Sequence, residues 1–363
     1  MREKVRSILF MGLLLSISIA NILTPVKVFS GKENRYLQEF PEINFDEIIK
    51  GEFGKNFEKY TTDQFIGRDK WISLKTIGDL SLLKKDNNRV YFGKDNYLFD
   101  VDKKFDEEKF KKKMESITKL LKYNKDIKFT AMLIPSKAAV LKDKFPSFAP
   151  LTDEKALVDM IKSSLGNNID IFDLTSILSE NSHEYIYYKT DHHWTTKGAF
   201  YAYEYYLKSI GEIPFKEDDF YIEKVSDDFL GSSYRQANFY MGSPDEIYSY
   251  KLKEKIDYDI TVNNKDKNNS LYNEEFLNKN DKYSYFLGGD KALIEIETSV
   301  RNGKSLLIIK DSFANSIVPF LVNHYEKLII IDPRYFSMDI TEFIKEKGVD
   351  EVLFLYNIQN FAK

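Results

Sequence analysis

Residues 305–315 read SLLIIKDSFAN. The four consecutive aliphatic side chains at 306–309 fit a strand covered on both faces, because a strand with one wet face would alternate apolar with polar residues. The run stops at Lys310-Asp311-Ser312 and passes into a segment, 314–325, with helical spacing of apolar groups. A serine at the carboxyl end of a parallel strand faces the crevice in which open α/β sheets bind ligands. N–H groups of a following helix would point at the same spot and stabilise an oxyanion. The dipeptide has a plainer reading as well, since Asp or Ser before a helix commonly caps it by accepting from unpaired N–H groups.

Outward from this stretch, β and α patterns alternate. Strands are predicted at 327–331 and 351–356 downstream and at 127–134 and 169–172 upstream; helices are predicted at 104–124, 153–164, 196–209 and 339–347. Such alternation predicts a mostly parallel sheet with helices on both faces, a three-layer α/β fold. Residues 89–99 carry two β-type runs around Gly93-Lys94-Asp95-Asn96 and read as a hairpin. Residues from about 212 to 300 break the rhythm with Tyr-, Asn- and charge-rich stretches and read as an inserted mixed segment.

The N-terminus opens with MREKVR and an uncharged apolar run at 7–23. That length is at the lower limit for spanning ~30 Å of hydrocarbon at ~1.5 Å per residue. Ser18-Ile19-Ala20 offers a small-x-small cleavage site. Ile22 and Leu23 continue the apolar run beyond it and favour an uncleaved anchor over a signal peptide. Basic residues before the span predict that the remainder faces outward. The expected organisation is a signal anchor or signal peptide at 1–24, a helical extension at 25–85, and the α/β domain at 86–363 with its insertion at about 212–300.

With 53 basic against 57 acidic side chains the chain has a formal charge of −4, so it lacks the clustered excess of Lys and Arg that nucleic acid requires. It contains no cysteine, which excludes thiolate nucleophiles, disulfides and Cys-ligated zinc.

Of four histidines, two are adjacent in Tyr187-Tyr188-Lys189-Thr190-Asp191-His192-His193-Trp194. If the backbone is extended there, residues i and i+2 share a side, so Asp191 and His193 meet while His192 turns away. A carboxylate on one imidazole nitrogen fixes the tautomer and leaves the other nitrogen to take a hydroxyl proton. Asp-His-His also has the donor types of a metal site, or the histidines are structural. No HExxH and no second His pair completes a ligand set.

The string YYKTDHHWTTKGAFYAY resembles the DHHW protein family, a branch of the AlgJ/AlgX-like alginate O-acetyltransferases with an SGNH (GDSL-type) hydrolase-like domain. Asn34-Arg35 in GKENRYL, DQFIGRD at 63–69, GKDNYLF, Ile134-Pro135-Ser136-Lys137, KDSFANS and Ile331-Asp332-Pro333-Arg334-Tyr335 follow in family order. The resemblance implies an SGNH/flavodoxin-like three-layer fold with circularly permuted motif order. In that family pattern Ser312 is the nucleophile, His193 the general base and Asp191 its orienting carboxylate; Lys310 stands where a GDS motif has glycine. Asn315, Arg334 and Asn357 are candidates for the oxyanion hole or donor contacts. Trp194 and His192 are candidates for substrate contact, Trp194 by stacking on a sugar or by packing. The implied reaction is acetyl transfer through an acetyl-serine to a carbohydrate hydroxyl, or to water in an esterase. No metal or diffusible cofactor is required. The implied partners are a polysaccharide acceptor and a membrane-bound O-acyltransferase as acyl donor, at the extracytoplasmic face of the cell membrane. A non-catalytic glycan-binding scaffold is the alternative from another class.

Overall fold

The computed structural model describes residues 2–30, 35–102 and 104–363. Asn34 of the GKENRYL string lies outside the described residues. Two compact units divide the chain, one running through Asn87 and including Tyr234–Tyr240, the other formed by Asn88–Ser233 and Met241–Lys363.

The first unit opens with the helix Arg2–Leu23, none of whose residues is buried. It is long and apolar enough to cross a membrane. Helices Glu52–Asp63 and Arg68–Ser81 follow, separated by a turn in which Gly67 takes φ +64°, a conformation that a side chain would strain. The Asp63 carboxylate accepts from Arg35 Nη1 and Nη2 at 2.9 and 2.6 Å and from the Gln38 N–H at 2.9 Å. The strings GKENRYL and DQFIGRD thus meet in one ion pair. Burial acts to raise the Asp63 pKa, but these donors outweigh it and hold the carboxyl below its ordinary value.

The second unit begins with the hairpin β1 (Val90–Phe92) and β2 (Leu98–Asp100), paired antiparallel. Its central sheet contains β3 (Lys128–Ile134), β4 (Asp170–Asp173), β7 (Tyr258–Val262), β8 (Asp266–Asn268), β9 (Leu293–Thr298), β10 (Ser305–Lys310), β11 (Lys327–Ile331) and β12 (Glu351–Asn357), in the order β8-β7-β9-β11-β10-β12-β3-β4. The five strands from β11 to β4 run parallel; β9, β7 and β8 continue that edge antiparallel. The segment expected as an insertion therefore supplies three strands of the sheet. It also supplies the separate antiparallel pair β5 (Phe220–Phe229) and β6 (Asp245–Leu252).

Side chains alternate across the sheet with the period of two that a strand imposes. Leu306, Ile308, Leu328, Ile330, Leu353 and Leu355 pack on one face with Phe200, Tyr203, Tyr206 and Leu207 of helix α3 (Thr196–Ser209). Leu307, Ile309, Ile329, Ile331, Val352 and Phe354 pack on the other with α1 (Glu107–Tyr123), α2 (Glu154–Leu165) and α4 (Ile340–Lys347). This is the expected three-layer α/β fold. The carboxyl ends of β10, β12 and β3 lie along one edge, because neighbouring parallel strands end on the same side.

One expectation is corrected. The segment 314–325 is not a single helix but a 3₁₀ turn Ser312–Ser316, a helical turn Val318–Leu321 and a second 3₁₀ turn Val322–His324. Pro319 cannot donate to a ladder begun upstream, and Asn323 Nδ2 takes the Pro319 and Phe320 carbonyls for itself.

Candidate functional site

At the end of β10, Asp311 and Ser312 divide two roles. Asp311 is the cap: Oδ1 accepts from the Phe313 N–H at 3.0 Å, and Oδ2 accepts from the Asn357 N–H at 3.0 Å and from Asn360 Nδ2 at 2.8 Å. Ser312 keeps its hydroxyl for another partner, and Oγ lies 2.8 Å from His193 Nε2. The array of free helix N–H groups expected after the serine is absent, because Phe313 N–H serves the Asp311 side chain and Ala314 N–H the Asp311 carbonyl. Among the described residues the Ser312 N–H has no acceptor.

The loop that carries His193 is held by an antiparallel bridge of Tyr187 with Trp194 and by bonds from Tyr188 N–H to His193 O and from Thr195 N–H to Ile186 O. Residues 191–193 are bent, not extended. Asp191 Oδ1 accepts both from the His193 backbone N–H (2.9 Å) and from ring Nδ1 (2.5 Å). An aspartate that bonds its own backbone two residues on makes a turn, and the turn brings the pair together. It also corrects the expectation that His192 turns away. The two imidazole centroids lie 3.8 Å apart, and His192 Nδ1 is 2.6 Å from Ser232 Oγ.

A surrounding shell fixes these groups. Asp191 Oδ2 accepts the Ser232 N–H at 2.7 Å. The preceding Gly231 approaches so closely that a Cβ there would fall 2.2 Å from Asp191 Cβ and 2.4 Å from Oδ2. Lys137, buried, sends Nζ to the carbonyls of Tyr188 (2.8 Å) and Asp191 (2.7 Å). Asp245, at the start of β6, accepts from Lys189 N–H (2.8 Å), Thr190 N–H (2.7 Å) and the Tyr185 hydroxyl. The Tyr283 ring stacks on His193 at 3.8 Å and 6°, and its hydroxyl donates to the Ser312 carbonyl at 3.1 Å.

The electrostatics favour an ionised carboxylate at Asp191 and a neutral ring at His192. Burial acts to raise the Asp191 pKa, but the charges of both imidazoles, the His193 hydrogen bond and the Ser232 N–H hold it well below the carboxylate range. Desolvation in the recess, with the adjacent His193, pushes His192 down to about 4. Burial likewise lowers Lys137 to about 8, against the pull of Asp100, Asp245 and Asp191. Asp191, His192 and His193 offer one ligand atom each within 4.8 Å of one another, the set that could hold a metal ion. In this arrangement both His193 nitrogens already face Asp191 and Ser312.

The remaining sequence candidates lie elsewhere in the network. Trp194 is fully buried, and its indole N–H is shared between the Phe313 carbonyl (3.0 Å) and Ser316 Oγ (2.9 Å). Its role is packing behind Ser312, and with no exposed ring face it has nothing to stack on a sugar. Asn357 caps the C-terminal turn by accepting from Gln359 N–H and gives Nδ2 to the Ile134 carbonyl. Asn315 and Arg334 belong to a buried-to-surface charge cluster. In it Arg334 pairs with Asp332 and Asp290, and Lys310 Nζ lies 2.6 Å from Asp290 and 3.4 Å from Asp332. Asn315 Nδ2 donates to Asp290, and its Oδ1 is buried without a partner among the described residues. The buried Lys310 ammonium enters this acidic pair. Burial acts to raise Asp290, but the two cations hold it down at about 2.

Five residues of the shell escaped the sequence reading. Lys137 stood in a quoted string without a role; a lysine between a buried strand and the apolar run AAVL was its available signal. Gly231, Ser232, Asp245 and Tyr283 come from the segment without periodicity and carried no local signal.

Residues 106–331, more than half of the chain, match the family model described as DHHW protein. A DHHW family protein from Eubacterium siraeum DSM 15702 shares the fold with a TM-score of 0.63 at 22% identity, over 76% of this chain and 95% of that one. PatB1 of Bacillus cereus does so with a TM-score of 0.65 at 23% identity, over 76% of this chain and 98% of its own. PatB1 with a sulfonyl adduct gives 0.64 at 24% identity, over 77% and 98%. No curated protein matches the chain.

Proposed function

Since the chain belongs to the DHHW protein family, we propose that it is an extracytoplasmic O-acetyltransferase that moves an acetyl group through Ser312 onto a polysaccharide hydroxyl. The observation that carries this reading is the continuous chain Asp191 Oδ1, His193 Nδ1, His193 Nε2, Ser312 Oγ, with links of 2.5 and 2.8 Å. Ser312 Oγ attacks the acetyl carbonyl of the donor while His193 Nε2 takes its proton. The tetrahedral oxyanion is met by the Ser312 N–H, and the imidazolium, stabilised by Asp191, returns the proton to the departing donor group. In the second half a sugar hydroxyl gives its proton to His193 and attacks the acetyl-serine; the ester bond to Ser312 breaks and Oγ recovers the proton. The apolar helix Arg2–Leu23 supports attachment to the membrane, with a membrane-bound acyltransferase as the donor partner.

PatB1 carries a sulfonyl adduct in one of its structures, so a sulfonyl fluoride is the natural probe. It should label Ser312 in the wild type and label neither Ser312→Ala nor, at a comparable rate, His193→Ala. Turnover of an activated acetyl ester should fall by about 10³-fold or more in each. Turnover retained at the wild-type level in both variants would end the proposal. Added glycan that stays unacetylated while acetate accumulates would make the protein an esterase.

A further inference from the structure

The turn between helices Glu52–Asp63 and Arg68–Ser81 of the first unit is pinned to the end of its apolar helix. Ile66 N–H donates to Asn21 Oδ1 at 2.7 Å, and Gln64 exchanges hydrogen bonds of 2.9 Å with both the N–H and the carbonyl of Lys27. Asn21 stands two residues before the end of a helix of 22 residues, so about 3 Å along its axis. If Arg2–Leu23 spans the bilayer, residues 64–67 are held at its outer boundary. That turn exposes Phe65 and Ile66, and the helix that follows exposes Trp71 (54%) and Leu74 (58%), with Leu82 (78%) directly after it. At about 100° per residue these three lie within about 80° of one another. A solvated helix has no reason to line up such groups, whereas an aromatic and aliphatic stripe beside the end of a span suits the headgroup boundary, where tryptophan concentrates.

We infer that the face of helix Arg68–Ser81 carrying Trp71 and Leu74, with the turn at Phe65-Ile66, lies in the outer headgroup layer of the bilayer. The occupant of this apolar face is lipid. The inference rests on the anchored reading of Arg2–Leu23 and not on the chemistry at Ser312.

The chain has two tryptophans, and the other, Trp194, is fully buried, so intrinsic fluorescence reads the claim directly. The full-length protein is reconstituted into vesicles of phosphatidylethanolamine and phosphatidylglycerol, plain or with acyl chains brominated next to the headgroup. Trp71 emission should fall by about two-fold or more in the brominated vesicles, and Trp71→Phe should remove that loss while leaving the buried Trp194 emission as a check on folding. Protein that floats with the vesicles but emits equally in both overturns the inference and leaves the anchor standing; Trp71 would then face water or a second copy. Quenching that persists in Trp71→Phe overturns it too. Protein that fails to float overturns both. Sulfonyl labelling of Ser312 on the same vesicles reports the proposed chemistry independently.

Discussion

His193 Nε2 stands 2.8 Å from Ser312 Oγ although 119 positions separate the two residues. The imidazole is held from three sides, by Asp191 at Nδ1, by the stacked Tyr283 ring and by Phe313 at 4.8 Å. Ser312 is presented by the rigid end of β10. Misplacing a catalytic group by about 1 Å can cost about 10²-fold, so residues that only position this pair should have large kinetic effects.

Gly231→Ala should behave as a variant of Asp191 although it touches no substrate. The new methyl cannot share space with the Asp191 Cβ and Oδ2 that lie 2.2 and 2.4 Å from its ideal position. The carboxylate must shift and its bond to Nδ1 is lost. We expect kcat to fall by about 10²–10⁴-fold with KM little changed, and far-UV circular dichroism to stay native. Unchanged kcat would show that Asp191 does not need its observed place.

Lys137→Met keeps the volume of the side chain but leaves the carbonyls of Tyr188 and Asp191 without their donor, at about 1–3 kcal/mol each. Activity should fall about 10- to 100-fold. In the wild type the ammonium neutralises from about pH 8 instead of 10.5. A lysine whose folded pKa is depressed weighs against stability while it is charged, so that burden lifts between pH 8 and 10.5. Over the same window the amine has fewer N–H groups for its carbonyls. The measurable outcome is activity that declines above about pH 8 while stability does not, with a Lys137→Met profile that lacks the decline.

Tyr283 is a positioning residue, and its two parts separate by mutation. Tyr283→Phe loses the bonds to the Ser312 carbonyl and Ser316 Oγ (3.1 and 3.2 Å) but keeps the ring on His193. It should cost about 1 kcal/mol of stability and only a few-fold in rate. Tyr283→Ala should cost about 3–5 kcal/mol and reduce kcat by about 10²-fold through a freed imidazole. Equal rates in the two variants would remove stacking from the account.

Asp191 predicts a pH dependence of known sign. Its folded pKa lies well below 3.8, so near that pH the unfolded chain binds more protons than the folded one. Its contribution is complete above about pH 4–5 and is lost as the pH falls toward the folded value. Asp245 and Asp311, raised by burial, contribute with the opposite sign, so total stability is the wrong readout. The difference in melting temperature between wild type and Asp191→Asn should shrink as the pH is lowered through 4. A difference that is constant from pH 7 to 3 would contradict the assignment.

The parallel sheet was legible because burial on both faces writes itself locally, as unbroken apolar runs at 306–309, 328–331 and 352–355. Asp191, His193 and Ser312 stood out for the same reason: a rare pair of histidines beside a carboxylate, and a hydroxyl at a strand end. The shape of their backbone did not. The expected extended stretch is a turn, because a side-chain bond from Asp191 to the His193 N–H competes with strand geometry and leaves no periodic trace. The expected helix after Ser312 is split into three short turns, with Pro319 in the first turn of the middle one.

By itself, then, the sequence determined the layered sheet, the apolar N-terminal helix and the candidate side chains Asp191, His193 and Ser312, since all three depend on neighbours a few positions apart. Only the tertiary structure decided that Ser312 meets His193, that Asp311 is the cap and Ser312 is not, and that Gly231, Asp245 and Tyr283 close around the pair. Those relations are contacts through space between segments about 30 to 120 residues apart. Their hydrogen bonds are satisfied only once the whole core has packed, so no short stretch of chain records them.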